Sequence, residues 1–383
     1  MRLTIVTGFF LPVPPVRGGS TEKIWHRLAQ EWAAAGEDVT LVSRQWPGFP
    51  DREVAGGVRH LRLPGSDHSA SLVRNLWQDF RWGLRVGRAL PPADVVICNT
   101  VTLPVWLRRF RPRAGRVVAV AARMPKGHGR AYGAVDLVLA LGEPVARKLR
   151  EENPSLAARI APFPYPIDWE LHARSAGPKA GPGQPVTLGY VGRLHPEKGL
   201  ELLLGAASEL ARRPGLPEWR LRVIGPAGVA AGGGGERWWE ALRGRHAGAL
   251  GRRLEWSGPD FDAASLARSY GSMDLFCYPS VAEQGETFGV AVAEAMAARC
   301  APVVSALACF RQLVSDGDTG LVFDHRAPDA EKRLAGQLAA LVADAGRRRA
   351  IAERAQARAR EFDFGPAARA LLHKLAEFGS NPG

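Results

Sequence analysis

The chain has few cysteines, and none is placed for a zinc site or a clustered bridge. Cys98, Cys277, Cys300 and Cys309 are scattered, mostly inside apolar runs, with no CxxC or Cys/His spacing. This argues against a metal ribbon or disulfide framework and predicts reduced, structural thiols in a reducing cytoplasm. No window reaches 18 uninterrupted apolar residues, so a spanning helix is not expected. The opening Met1–Gly8 is too short an apolar run for a signal peptide and reads as a buried strand. GxGxxG is missing after that strand, where Gly8 leads into Phe9-Phe10-Leu11-Pro12, which argues against a nicotinamide oxidoreductase. Acidic residues are outnumbered: 51 Lys+Arg against 38 Asp+Glu leave +13. Residues 1–170 hold 24 against 15, or +9, so the excess cation sits mainly in the first half. Such a surface draws phosphate, anionic lipid or nucleic acid, unless it reflects only a general preference for arginine.

What is present is an alternation of strands and helices over 383 residues, more than one core usually organises. Leu3–Thr7, Val39–Ser43, Val58–Leu61, Val95–Cys98, Val117–Ala121 and Leu137–Ala140 read as strands. Ser20 or Thr21 can cap a helix that repeats Ile24, Leu28 and Trp32 on one face. Glu143–Glu151 reads as another helix. The Gly/Pro-rich run Gly177–Gln184 marks a flexible linker. Beyond it, Val186–Val191, Leu221–Ile224, Leu254–Trp256, Leu275–Cys277 and Pro302–Val304 are strands. Helices are expected at 200–210, 237–248, 263–270 and 288–298, followed by an Ala/Arg/Leu-rich helical tail from Lys332. The expectation is α/β: two doubly wound domains (1–168 and 186–363), joined by 169–185, with ligands outside the strands' carboxyl ends in a central cleft.

Three local patterns carry chemistry. In Gln284–Met296, Glu286 precedes a helix and Glu294 lies within it, with Gly289 at the helix start, where free N–H groups favour an anion. Two carboxylates flanking such an anion site can accept hydrogen bonds from sugar and ribose hydroxyls. In Gly189–Leu200, Arg193 and Lys198 flank the turn opened by Gly192, a diphosphate clamp of one chelating and one point-like cation. Arg17-Gly18-Gly19-Ser20 follows the first strand as a backbone nest.

In this order, the three patterns resemble glycosyltransferase family 4, the retaining GT-B group, along nearly the whole chain. The matching elements are Gly18-Gly19, the V-G-R-x-x-x-x-K-G run Val191–Gly199, and Pro279-Ser280 followed by Glu286 and Glu294 in Glu-x7-Glu spacing. The resemblance implies two Rossmann-like domains, with the C-terminal helix 364–378 returning to the first, acceptor-binding domain. The second domain would bind the donor. It also implies roles: Arg193 and Lys198 on the donor diphosphate, Glu286 on the transferred sugar and Glu294 on the ribose. The amides near Phe288, Gly289 and Val290, with Gly19 from the other domain, would contact phosphate, and Gly225 would lie near the nucleoside. No cofactor or metal is implied, only a nucleotide-diphosphate sugar, UDP first and GDP, ADP or dTDP next. Asp260 and Asp262 receive no role.

The chain departs from this pattern in two places. A His expected after the fifth strand is replaced by a stretch whose polar candidates are Arg123, Lys126 and His128, assigned to the acceptor side. The usual Gly-Gly…Glu appears as Ala308-Cys309-Phe310-Arg311-Gln312, which leaves the donor sugar open. Residues 71–90 interleave Arg74, Arg81, Arg85 and Arg88 with Trp77, Phe80 and Trp82 in an amphipathic helix. With Arg108, Arg109, Arg111, Arg113 and Arg116, this helix could dock at an inner membrane face and reach a lipid-linked acceptor; small-molecule and glycan acceptors stay open. Alternatively it packs on the sheet and its arginines snorkel. A nucleotide-sugar 2-epimerase of the same architecture and a basic nucleic-acid binder are the rival readings.

Overall fold

Short β-branched and aliphatic runs become buried strands, and amphipathic segments cover them, as the alternation requires. In the computed structural model, residues 1–69 and 71–377 are described. They divide into two units: Met1–Pro166 with the chain from Phe364 onward, and Ile167–Asp363.

The first unit holds, among the described residues, β1 (Arg2–Val6), β2 (Asp38–Arg44), β3 (Arg52–Ala55), β4 (Val58–Leu63), β5 (Val95–Cys98), β6 (Arg116–Ala121), β7 (Leu137–Ala140) and β8 (Ile160–Pro162). They form one sheet in the order β3-β4-β2-β1-β5-β6-β7-β8. All pairs are parallel except β3 with β4, a hairpin closed by Gly56 and Gly57 at φ 57° and 77°. Two positive φ values in succession are what a tight hairpin turn needs. The sequence pattern missed β3 because its residues face water. Helices α1 (Ser20–Ala34), α2 (Leu72–Ala89), α3 (Leu103–Phe110) and α4 (Glu143–Glu152) flank this sheet. Ile24, Leu28 and Trp32 are buried, as their spacing requires. The expected cap is corrected: Gly19 occupies the N-cap of α1, and neither Ser20 nor Thr21 serves.

The second unit contains β9 (Val186–Val191), β10 (Trp219–Ile224), β11 (Leu254–Ser257), β12 (Leu275–Tyr278), β13 (Ala301–Ser305) and β14 (Leu321–Phe323). Their order is β11-β10-β9-β12-β13-β14, parallel throughout. Its helices are α5 (Trp169–Arg174), α6 (Leu200–Ala211), α7 (Glu236–Leu250), α8 (Ala263–Gly271), α9 (Val290–Ala297), α10 (Ala330–Ala343) and α11 (Ala345–Ala359). The strand order reverses between β9 and β12, which makes the loops after those two strands the expected ligand position.

Residues 169–185 are not a free linker. Lys179 donates to the carbonyls of Gly271 (3.0 Å) and Met273, and the Ala180 amide donates to Asp274 at 2.6 Å. Arg348 holds the Ala180 carbonyl at 2.8 Å, so a Gly/Pro-rich strap is pinned to the second unit. The tail is not one helix either. Asp344 caps α11 at the end of α10, and α12 (Phe364–Glu377) follows a turn at 360–362. Helix α12 packs on α1, with the Trp32 indole donating to the Ala368 carbonyl at 2.9 Å. Phe378, included in the expected last helix, lies outside the described residues. No helix among the described residues is long and apolar enough to cross a membrane.

Candidate active site

The basic turn and the acidic segment meet at the reversal of strand order. β9 ends at Val191, Gly192 turns the chain, and Pro196–Lys198 forms a single helical turn before α6. The Lys198 ammonium is buried and donates to Glu286 Oε2 at 2.7 Å, over the Tyr278 ring at 5.8 Å. Tyr278 stacks on Tyr190 with centroids 5.6 Å apart and planes 8° from parallel. The Tyr190 hydroxyl in turn donates to the Arg193 carbonyl at 2.9 Å. Burial, then the Glu286 charge, pushes both phenols well above their ordinary range. They are therefore neutral walls and not acids or bases at physiological pH.

Glycines fix this geometry. A Cβ on Gly199 (φ 71°) would stand 1.9 Å from the Pro279 carbonyl oxygen, so the Lys198 turn lies directly on the loop after β12. That loop is tied to the turn through Glu197, whose carbonyl accepts from the Val281 amide (2.9 Å) and the Ser280 hydroxyl (3.2 Å). The Pro-Ser pair thus locks the two halves of the site together. A Cβ on Gly225 would lie 1.9 Å from the Gly192 carbonyl oxygen, so Gly225 packs against the turn.

Gly289 takes φ 97° at the N-cap of α9, which no side chain caps. Val290 opens the helix behind it, and Phe288 is buried against Phe362, with ring centroids 5.3 Å apart. Glu294 is buried on α9. It accepts from the Tyr270 hydroxyl at 3.3 Å and lies 3.7 Å from His172 Nε2. Arg193 donates to Glu197 (2.8 Å) and to the Gly232 carbonyl (2.8 Å).

Lys198 and Glu286 are thus in direct contact, and Arg193 lies on the same turn, bound to a counter-ion of its own. Glu294 faces Tyr270 and His172, and a row of rings leads from there to the lysine: Tyr270 to Phe276 at 5.6 Å, Phe276 to Tyr278 at 6.0 Å. Sequence reasoning missed Glu197, Tyr190 and Tyr278, although all three lie in or beside the motifs. It also missed Tyr270 and His172, for which no local signal exists. Asp262 caps α8 through the Ser265 amide, and Asp260 accepts from the Asp262 amide, a structural use of both.

In the first unit, Gly18 and Gly19 take φ 75° and 98°. A Cβ on Gly19 would stand 2.4 Å from Glu22 Oε2, so the nest sits on a carboxyl that no sequence motif marks. Burial raises Glu22 to about 7, against a downward pull from its own backbone and from Arg123. Arg123 and Lys126 are exposed. His128 begins the turn 128–134, and its side chain lies outside what the structure describes.

Solved structures share the fold of this chain. Sucrose-phosphate synthase of Thermosynechococcus elongatus superposes with a TM-score of 0.80 at 19% identity, over 99% of each chain. Anabaena HepE, solved with UDP and glucose, superposes with 0.71 at 16% identity, over 98% of this chain and 100% of that one. The architecture is GT-B, with two Rossmann-like domains. The model of the family described as glycosyl transferases group 1 matches residues 176–358. The phosphatidyl-myo-inositol mannosyltransferase of Mycobacterium tuberculosis is 30% identical over 350 residues, covering 91% of this chain and 76% of that protein. This chain belongs to the glycosyl transferases group 1, glycosyltransferase family 4, and is a sugar-transferring enzyme.

Proposed function

We propose that the second unit grips the diphosphate of a nucleotide-activated sugar and that the enzyme passes this sugar, with retained anomeric configuration, to an acceptor hydroxyl. The observation that carries the reading is the buried Lys198–Glu286 pair at the reversal of strand order. A buried ammonium is costly unless paired, and a donor phosphate can share it. Arg193 adds a chelating cation on the same turn, and the uncapped start of α9 supplies N–H donors to a second phosphate oxygen. Glu294 is oriented by Tyr270, and an ionised carboxylate has about four acceptor positions, enough to take ribose hydroxyls as well. UDP is the first base to test, followed by GDP, ADP and dTDP.

Charge stabilisation of the departing diphosphate is then the main catalytic contribution. The leaving phosphate oxygen takes the acceptor's proton on the face where the acceptor attacks. Glu286 is not assigned as a covalent nucleophile, because Lys198 already engages its oxygen. The relative's named substrate, phosphatidyl-myo-inositol, makes a lipid-linked polyol the first acceptor class to try.

The test is thermal unfolding with each nucleotide sugar, followed by transfer assays. A true donor at a hundred times its Kd stabilises the fold by about 2.7 kcal/mol. Glu294→Gln should weaken that stabilisation, and Lys198→Met should lower kcat about 10²- to 10³-fold. Unchanged kcat in Lys198→Met would refute the clamp. Conversion of donor sugar without acceptor would favour an epimerase.

A further inference from the structure

Glu294 belongs to a buried polar knot whose other members lie outside the motifs. His172, Tyr270 and Glu294 are 2%, 0% and 6% exposed. Tyr270 donates to Oε2 of the carboxyl at 3.3 Å, and His172 Nε2 stands 3.7 Å from Oε1. The two neighbours thus address different oxygens of one group. Their rings meet edge-on, with centroids 5.4 Å apart and planes at 73°. Burial, then the Glu294 charge, pushes the Tyr270 phenol well above its ordinary range, so it stays a donor.

The histidine is held from outside the knot. It sits on α5, which the Asp168 side chain caps by accepting from the Leu171 amide at 3.0 Å. The Trp169 amide donates to Asp363 (3.1 Å), and the Trp169 indole donates to the Gln356 carbonyl (3.1 Å). Gln356 lies on α11, and its side-chain amide donates to the carbonyl of Ala297, the last residue of α9, at 2.8 Å. The helix of His172 and the helix of Glu294 are therefore tied to one strut, which fixes the imidazole relative to the carboxylate.

Packing alone does not account for a histidine here. Its Nδ1 is buried and has no hydrogen-bond partner among the described residues, which carries a desolvation cost. A phenylalanine would meet Tyr270 edge-on in the same way without that cost. What it would lack is the Nε2 that faces Glu294.

We infer that His172 is a positioning residue: with Tyr270 it sets the plane of the Glu294 carboxylate, so that the site takes both hydroxyls of a ribose and prefers ribonucleotide donors to 2′-deoxy ones. This rests on the assignment of Glu294 to the ribose made above. The 3.7 Å separation is longer than a hydrogen bond, and closing it by about 0.8 Å as the ribose enters would make one. A site built to bond a hydroxyl rejects the analogue that lacks it, because its buried polar atoms are left unpaired. Of the bases to be tried, dTDP therefore ranks last.

The experiment is titration calorimetry of the full chain with UDP, GDP and ADP, and with the 2′-deoxy form of whichever binds, joined to donor KM and kcat. The wild type should bind the ribonucleotide about tenfold or more tightly than its 2′-deoxy form, the worth of one hydrogen bond to a charged group. In His172→Phe and His172→Asn the ribonucleotide Kd and the donor KM should rise about tenfold, while the 2′-deoxy Kd and kcat should move less than about threefold. His172→Gln, whose longer amide reaches the Nε2 position, should restore most of the preference. Unfolding midpoints certify each variant, and the Asn and Gln variants decide the matter if His172→Phe does not fold. A packing role would reverse the order, with phenylalanine nearest the wild type and the two amides alike. That order, or equal wild-type affinity for the ribo and deoxy forms, would overturn the inference. Loss of binding in Glu294→Gln beside a wild-type preference in His172→Phe and His172→Asn would overturn it and spare the site. No binding of any of the three nucleotides, or a Glu294→Gln variant that binds like the wild type, would remove the site and the inference with it.

Discussion

Glu22 shows how one residue can make stability depend on pH. Its carboxyl is buried beneath the Gly18-Gly19 nest and raised from 4.5 to about 7, chiefly by desolvation. A raised acid binds its proton more tightly in the fold than in the unfolded chain. Its contribution is therefore complete below pH 4.5 and is lost as pH rises through about 7. Glu22→Gln should remove that slope and gain up to about 3 kcal/mol relative to wild type above pH 7, because each tenfold change in proton affinity is worth about 1.4 kcal/mol. Denaturant midpoints of both proteins at about pH 5 and pH 8 would show this. A parallel pH response in both would rule it out.

The same scale separates what the sequence made legible from what it concealed. Lys198 and Glu286 were readable because each lies in a motif whose residue types suit a diphosphate. Their contact spans 88 positions, but the strand order brings the motifs together. His172 was unreadable: it lies within 169–185, which reads as linker, 122 positions from the carboxylate it approaches. Glu22 was passed over because a charged residue in the first turn of a helix usually faces water.

At the scale of elements, buried parallel strands were the most legible. Val95–Cys98, Leu137–Ala140 and Val186–Val191 emerge with the expected bounds, because strands covered on both faces are continuous apolar runs. Strand β3, α5 and the pinned strap at 177–184 were not legible. Strand β3 faces water, and the partners of α5 and the strap lie about 90 to 190 positions away, so neither leaves a trace in local composition. The joint between β9 and β10 gives a prediction at this scale. Gly225→Ala would force a Cβ to 1.9 Å from the Gly192 carbonyl, a backbone atom with no rotamer to yield. It should cost about 2 kcal/mol or more and weaken nucleotide binding, read by calorimetry. Wild-type stability would show that Gly192 can move aside.

For the molecule as a whole, the chain crosses from one unit to the other twice, after Pro166 and after Asp363. The second unit is therefore one continuous segment with its own parallel sheet, and all the residues proposed to hold the diphosphate from that sheet belong to it. Residues 167–363 expressed alone should melt cooperatively, bind a nucleoside diphosphate and transfer no sugar. An insoluble or unstructured fragment would show that the second unit depends on the first.

The first unit is built differently, because α12 packs on α1 and Trp32 is bonded to a carbonyl 336 residues later. A ribosome adds about 5 to 20 residues per second, so that indole waits roughly 20 to 70 seconds for its partner. The early domain is thus finished late, by a helix that emerges only after the whole second unit. A nascent chain that stalls anywhere in between would present the Trp32 indole and the face of α1 that α12 covers to chaperones and proteases.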